Sequence, residues 1–243
     1  MLVPRCIHQT YSSTELPPLL AANVAVLRAQ NPDWTYKYYD DAMVALYIRN
    51  HFGDAVNRCY DRINPAYGAA RADFFRYLLM YREGGVYLDI KSTVQRPLSE
   101  IILKDDVYWI SQWDNGAGRP YEGWGLNPLL ADVPGGEYQQ WYIVAAPRHP
   151  FLREVIKHVM TMIDCYQPRL HGVGKIGVLN VTGPISYTLS IAPIRKRYRH
   201  REVASDAMGL RYTMFDDHRP FSHLKFFPNH YIGLREPVVN ARA

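Results

Sequence analysis

Residues 69–91 read Ala-Ala-Arg-Ala-Asp-Phe-Phe-Arg-Tyr-Leu-Leu-Met-Tyr-Arg-Glu-Gly-Gly-Val-Tyr-Leu-Asp-Ile-Lys, and they constrain the fold more than any other stretch of the chain. Phe74, Phe75, Leu78 and Leu79 recur at helical spacing, which predicts an amphipathic helix. Gly84 suits the left-handed residue that closes such a helix. Val86, Leu88 and Ile90 then alternate with Tyr87, Asp89 and Lys91. A period of two predicts a strand with Asp89 and Lys91 on one side of it. A charged pair at the end of an apolar strand costs desolvation energy unless a partner compensates it. In open α/β sheets, ligands bind beyond the carboxyl ends of strands, where this pair would lie.

The flanking sequence fits the same class. Val3–His8 reads as a first strand, residues 18–30 as a helix, Thr35–Tyr39 as a strand and Asp41–Phe52 as a helix with an acidic first turn. Val107–Gln112 and Tyr142–Ala145 read as strands, and Pro150–Cys165 as a helix. Thr182-Gly183-Pro184 opens a further helix, followed by two or three short strands. Strands alternating with helices predict an α/β fold with a mostly parallel central sheet flanked by helices. Residues 115–136 are rich in Gly, Pro and Asn and irregular, and loops of that length are often functional. The 243 residues fit one α/β domain spanning 1–243.

Composition narrows the function classes. Hydrophobic residues at 48% supply a core, and charged residues at 21% argue against disorder. A net charge of +5 suits a protein that handles diphosphates or lies against an anionic membrane surface. Much of the excess comes from Arg195-Lys196-Arg197-Tyr198-Arg199-His200-Arg201, read as a solvated helix end or loop. No nucleic-acid module accompanies this run, so nucleic acid is not an expected partner. Cys6, Cys59 and Cys165 match no zinc or redox spacing and suit reduced thiols. The chain has no signal-peptide pattern and no apolar run near the roughly 20 residues of a membrane span. A cytoplasmic setting, with peripheral membrane contact at most, is the expectation.

Arg71, Asp73, Arg76, Tyr77, Tyr81, Gly84, Gly85, Tyr87 and Asp89 match a helix of the form Arg-x-Asp-x-x-Arg-Tyr followed by Tyr-x-x-Gly-Gly-x-Tyr-x-Asp-x-Asp. This pattern resembles the core of the DXD-type sugar transferases of glycosyltransferase family 32. The clostridial glucosylating toxins share a related unit. Val3–Tyr11 is similar to the family's opening Ile-Pro-Lys-Ile-Ile-His-Gln-x-Trp, and Asn31-Pro32-Asp33-Trp34 and Tyr39-Asp40-Asp41 to its next elements. Gln140–Pro150 and Thr182-Gly183-Pro184 are similar to stretches of the initiation-specific α-1,6-mannosyltransferases. The departure is Lys91, which stands where the family has its second aspartate.

The resemblance implies a GT-A, Rossmann-like fold and a retaining transfer of a hexose, mannose favoured, from a nucleotide-diphosphate sugar to a glycan or other hydroxyl acceptor. GDP-mannose is the favoured donor, with UDP-glucose and UDP-galactose next. It implies a nucleotide-sugar half over about residues 1–112 and an acceptor-side half over about 113–243. Asp89, Lys91 and Arg76 become the candidate catalytic residues. Tyr11, His8, Gln9 and Asp73 join them as donor-binding candidates, with Tyr11 in place of a base-stacking Trp. A histidine such as His8 in a strand is, however, more often a packed residue. Alone, Asp73 and Arg76 read more readily as an ion pair on one helix face, and the match of Asp89 alongside turns the balance to donor binding.

Family members use Mn²⁺ or Mg²⁺ to neutralise the leaving diphosphate, with Asp89 as the matching ligand. An ammonium cannot ligate a metal, but it pairs with phosphate. Three expectations follow for Lys91: it replaces the cation, wholly or in part; it points to solvent in a protein without catalysis; or a metal is kept by Asp89 with His223 or His230. Asp114, Glu122 and Glu137 are candidate acceptor contacts or bases. Two other classes compete. A haloacid-dehalogenase-type phosphatase places Asp-x-Asp-x-Thr at a strand end, but Lys91 breaks that motif too. A non-catalytic nucleotide-sugar-binding protein on the same fold is the stronger rival.

Overall fold

The computed structural model describes residues 2–215 and 231–241. Its strands are β1 (Cys6–Thr10), β2 (Thr35–Tyr39), β3 (Gly85–Leu88), β4 (Thr93–Val94), β5 (Trp109–Ile110), β6 (Tyr142–Ala145), β7 (Arg201–Glu202) and β8 (Leu210–Arg211). The helices are α1 (Pro18–Gln30), α2 (Asp41–His51), α3 (Asp54–Arg62), α4 (Gly68–Glu83), α5 (Leu98–Ile101), α6 (Pro150–Asp164), α7 (Pro168–His171), α8 (Gly174–Val181) and α9 (Pro184–Ile191). Four strands form the central sheet in the order β2-β1-β3-β6. β1 pairs in parallel with both β2 and β3, while β6 runs antiparallel to β3. The fold is therefore α/β with a mixed, mostly parallel sheet, as expected. Two separate two-stranded sheets pair β4 with β8 and β5 with β7.

Each face of the sheet carries its own core. Tyr87, Ile143 and Ala145 meet Phe74, Phe75 and Leu78 of α4 and Phe151 and Val155 of α6 on one side. Ile7, Val86, Leu88 and Val144 meet Leu27 of α1, Leu98 and Trp109 on the other. Every residue of β3 is consequently buried, as in strands covered on both faces.

Two local expectations need correction. α4 is not amphipathic through its centre, because every residue from Asp73 to Met80 is buried. Its spacing of apolar residues was helical, but sheet and helices enclose it, and the polar members Asp73 and Arg76 are buried with the rest. The strand also stops at Leu88, before the charged residues. The Asp89 N–H bonds Trp141 O at 2.8 Å, and Ser92 N–H turns back to Asp89 O at 2.8 Å. Period-two alternation therefore does not set the directions of Asp89 and Lys91; a turn does.

The Gly-Gly break is steric as well as conformational. Gly84 and Gly85 have φ of 66° and 96°. A Cβ on Gly85 would stand 2.5 Å from the Cys6 carbonyl oxygen, in the strand beside it. The pairing of β3 with β1 thus depends on glycine. α3 was not expected from the sequence, although Ala55, Val56, Cys59 and Tyr60 recur at helical spacing and Cys59 and Tyr60 are buried. The loop after α3 grips the end of the chain, with Asn64 N–H on Val238 O at 2.9 Å and the Tyr67 hydroxyl on Glu236 O at 2.6 Å. The basic run is largely paired: Arg195 with Glu202 at 3.3 Å, Arg201 with Asp106 at 3.1 Å, and Arg199 with Asp105. The three cysteines are free thiols. Among the described residues no helix is long and apolar enough to cross a membrane.

Candidate functional site

Arg76 is the hub of a polar site at the carboxyl end of β3. Its guanidinium stands 3.1 Å from Asp73 Oδ1, one turn earlier on α4, and 3.1 Å from Asp89 Oδ1, just past the strand. It donates to the carbonyl and side-chain oxygens of Gln140 at 2.8 and 2.7 Å, and lies 4.7 Å from the centre of the Tyr87 ring. Gln140 Nε2 and the Thr182 hydroxyl each donate to Asp73 at 3.1 Å. A planar, five-donor cation suits a task that divides its bonds between two carboxylates and an amide.

The electrostatics follow from burial. Asp73 is pushed up to about 6 because its charge is buried, against the pull of Arg76 and of the Gln140 and Thr182 donors; Asp89 adds to the rise. Burial works to lower Arg76, yet Asp89, Tyr87 and Asp73 outweigh it and hold the guanidinium above its ordinary range. Desolvating such a group costs several kcal/mol unless its donors are satisfied, and here they are.

β1 delivers Gln9 to the same end of the sheet, with Tyr11 just beyond it, while the expected donor-side residue His8 turns to the start of β3 instead. His8 is fully buried, with Nε2 3.2 Å from Gly84 O and Nδ1 3.3 Å from the Tyr39 hydroxyl. Burial, reinforced by Lys37, holds it neutral and lowers it to about 4. It braces the Gly-Gly turn. Gln9 is also fully buried and donates to the Asp89 carbonyl at 3.3 Å, orienting the turn that carries the carboxylate. Tyr11 is half-buried against Leu20, Val24 and Ile90, just beyond the strand.

Lys91 does not project freely into solvent. Its ammonium donates to the Tyr212 hydroxyl at 2.7 Å and lies 3.9 Å from the centre of that ring. Tyr212 belongs to an aromatic group with Trp113, Tyr121, Trp124 and Trp141. Among the candidate acceptor residues, Glu137 reaches this group and accepts the Trp113 indole N–H at 2.7 Å. Burial raises its carboxyl, opposed by the Trp113 bond and Lys175. Asp114 and Glu122 lie elsewhere on the loop, paired with Arg119 and with the Gly118 N–H. His223 and His230 lie outside the described residues.

Sequence reasoning missed Tyr231. Its phenol is pushed well up by burial, and further by Tyr212, Asp73, Asp89 and Glu137, which places it among the donor-side and acceptor-side groups together. It reaches them on the 3₁₀ turn Tyr231–Gly233, which packs on α8. No motif or period marks it. Gln140 and Thr182 had a signal, because both stand in stretches of recognisable pattern, but nothing in the sequence tied them to Arg76.

Residues 17–108 match the model of the glycosyltransferase sugar-binding region containing the DXD motif, a span that holds α4, the Gly-Gly break and Asp89. The chain is 26% identical over 220 residues to a mannosyl phosphorylinositol ceramide synthase of Saccharomyces cerevisiae, covering 90% of this chain and 49% of the relative. It is 31% identical over 169 residues to the initiation-specific alpha-1,6-mannosyltransferase of Candida albicans, covering 65% and 43%. The chain thus spans about half, or less, of these relatives' lengths. Among solved structures it is similar to the ligand-free glycosyltransferase domain of the YGT toxin, with TM-score 0.57, 11% identity and coverage of 93% and 85%. The PaToxG glycosyltransferase gives TM-score 0.56, 13% identity and coverage of 79% and 69%. The fold is the GT-A glycosyltransferase fold.

Against the DXD pattern of the family, the donor set here is unusual. Asp89 is the motif's one carboxylate, its Oδ1 is paired with Arg76, and an ammonium occupies the position of the second aspartate. Among the described residues, no three His, Cys, Asp or Glu side chains gather as a metal site. These residues do not fit a divalent cation, whose hard charge calls for several oxygen ligands.

Proposed function

We propose that the protein is a hexosyltransferase, with mannose the favoured sugar, that uses a nucleotide-diphosphate donor and a hydroxyl acceptor. The observation that carries this reading is the Asp73–Arg76–Asp89 constellation at the end of β3, inside the segment that matches the sugar-binding family model. Asp89 and Asp73 bind hydroxyls of the donor's sugar and ribose. Arg76 sets the positions of both carboxylates. Tyr11 takes the base against its ring face. The names of the relatives, mannosyltransferases in both cases above, favour GDP-mannose, with UDP-glucose and UDP-galactose as alternatives.

Transfer breaks the bond between the anomeric carbon and the β-phosphate oxygen, and the electron pair goes to that oxygen. Lys91 stabilises the developing charge from its place on Tyr212, with its ammonium in the role that a cation has in DXD enzymes. The acceptor hydroxyl attacks from the face the diphosphate leaves and gives its proton to the departing phosphate, which retains the anomeric configuration. Donor groups come from the first half of the chain, about residues 1–112, and acceptor groups from the second, about 113–243.

The test is hydrolysis of a panel of GDP- and UDP-hexoses by the purified protein, with Mn²⁺ or with EDTA. Turnover of one donor in EDTA, lost in Lys91→Ala and made Mn²⁺-dependent in Lys91→Asp, is the expected result. Turnover only with Mn²⁺ overturns the role of Lys91 and directs attention to His223 and His230. Tight donor binding with no turnover, with acceptors also supplied, supports a non-catalytic nucleotide-sugar-binding protein instead.

A further inference from the structure

The long loop that was irregular in sequence is a built object. Asn115 Nδ2 donates to the Trp124 and Gly135 carbonyls at 2.6 and 3.0 Å, and Glu137 N–H bonds Gly125 O at 3.0 Å. Gly125, at φ 72°, lies so close to Glu137 and Trp113 that a Cβ there would stand 2.6 and 2.7 Å from their side chains. These bonds hold Trp124 beside Trp113, Tyr121 and Tyr212, with ring centres 5.2, 5.4 and 6.1 Å away and planes at 66°, 60° and 85°. None of the three stacks parallel to Trp124, and 43% of its surface is exposed. Trp124 is thus fixed by its loop with part of its ring open to solvent. Beside it the Glu137 carboxylate has one hydrogen bond among the described residues, from Trp113. The Trp141 indole N–H, buried against the Tyr212 ring, has no partner among them.

Resting on the transferase reading, we propose that Trp124, Tyr121 and Tyr212, with Glu137, form the acceptor subsite, and that it takes a neutral pyranoside rather than an anionic phosphoinositol headgroup. A pyranose ring offers apolar C–H faces to Trp124 and hydroxyls to the carboxylate. A phosphodiester would meet the Glu137 charge at short range. Among the described residues the cations beside it are already engaged, Lys91 by Tyr212 and Lys175 by Glu137.

The experiment is saturation-transfer NMR on the full chain with methyl α-mannopyranoside and with inositol 1-phosphate, repeated for Trp124→Ala, Trp124→Phe and Glu137→Gln. The expected result is saturable mannoside binding, weakened about tenfold in Trp124→Ala and Glu137→Gln but only about threefold or less in Trp124→Phe, with no comparable binding of inositol 1-phosphate. The KM for mannoside acceptor should rise about tenfold in Trp124→Ala and about threefold or less in Trp124→Phe. Equal mannoside binding in Trp124→Ala, no mannoside binding in the wild type, or preference for inositol 1-phosphate overturns the subsite. Absence of donor hydrolysis in the wild type would instead remove the transferase reading, leaving the NMR result to judge the subsite by itself.

Discussion

Arg76 answers to two carboxylates and an amide at once, and its replacement is the sharpest residue-scale probe. Arg76→Ala leaves Asp73 buried with its charge uncompensated, and we expect a loss of about 3–5 kcal/mol in urea unfolding. Arg76→Lys keeps the charge but not the fork. It should fold and lose about a hundredfold in donor turnover, because Asp73 and Asp89 would no longer be held in register. Asp73 adds a pH dependence. With its carboxyl raised to about 6, it is neutral in mildly acid solution and charged above that point. Donor affinity should therefore fall as pH drops through about 6, and Asp73→Asn should remove that inflection from a binding titration. At this scale much of the site was legible. Asp73, Arg76 and Asp89 stand in a spaced motif that marks them in the sequence alone. Tyr231 and Tyr212 were not, since a lone tyrosine in an irregular segment has neither period nor motif to mark it.

At the scale of elements, the helix–Gly-Gly–strand unit holds the site together. Gly85 has φ 96°, and a Cβ there meets the Cys6 carbonyl at 2.5 Å. Gly85→Ala should cost about 1–3 kcal/mol from backbone strain alone, and more where β3 is pushed from β1, read as a lowered denaturation midpoint. Most strands and helices were readable from apolar period and capping residues: α1 and β2 fall on the residues expected. The turn at Asp89 was not. Alternation of Leu88, Asp89, Ile90 and Lys91 mimics a continuing strand, whereas the chain turns there through the bond from Ser92 N–H to Asp89 O. α4 misled in the opposite sense. Helical spacing of apolar residues does not reveal that a helix is covered on every side.

For the whole molecule, buried histidines set the acid limit of stability. His8 and His149 are both held neutral by burial and lowered to about 4. Unfolding lets each take up a proton near 6.5, so their contribution is present above that pH and is lost as pH falls towards 4. Asp73 acts with the opposite sign across about the same window, because the folded protein binds its proton first. The histidine contribution itself declines between pH 6.5 and 4, so His8→Gln should flatten the fall of the unfolding free energy across that window relative to the wild type. The central claim is that the β3 end is a sugar-transfer site centred on Asp89. Its most direct test is nucleoside diphosphate release from the preferred GDP- or UDP-hexose, measured for the wild type and Asp89→Asn, with unfolding midpoints recorded alongside. We predict release by the wild type and a loss of about a hundredfold or more in a variant that remains folded. Release at the wild-type rate by folded Asp89→Asn would contradict the claim.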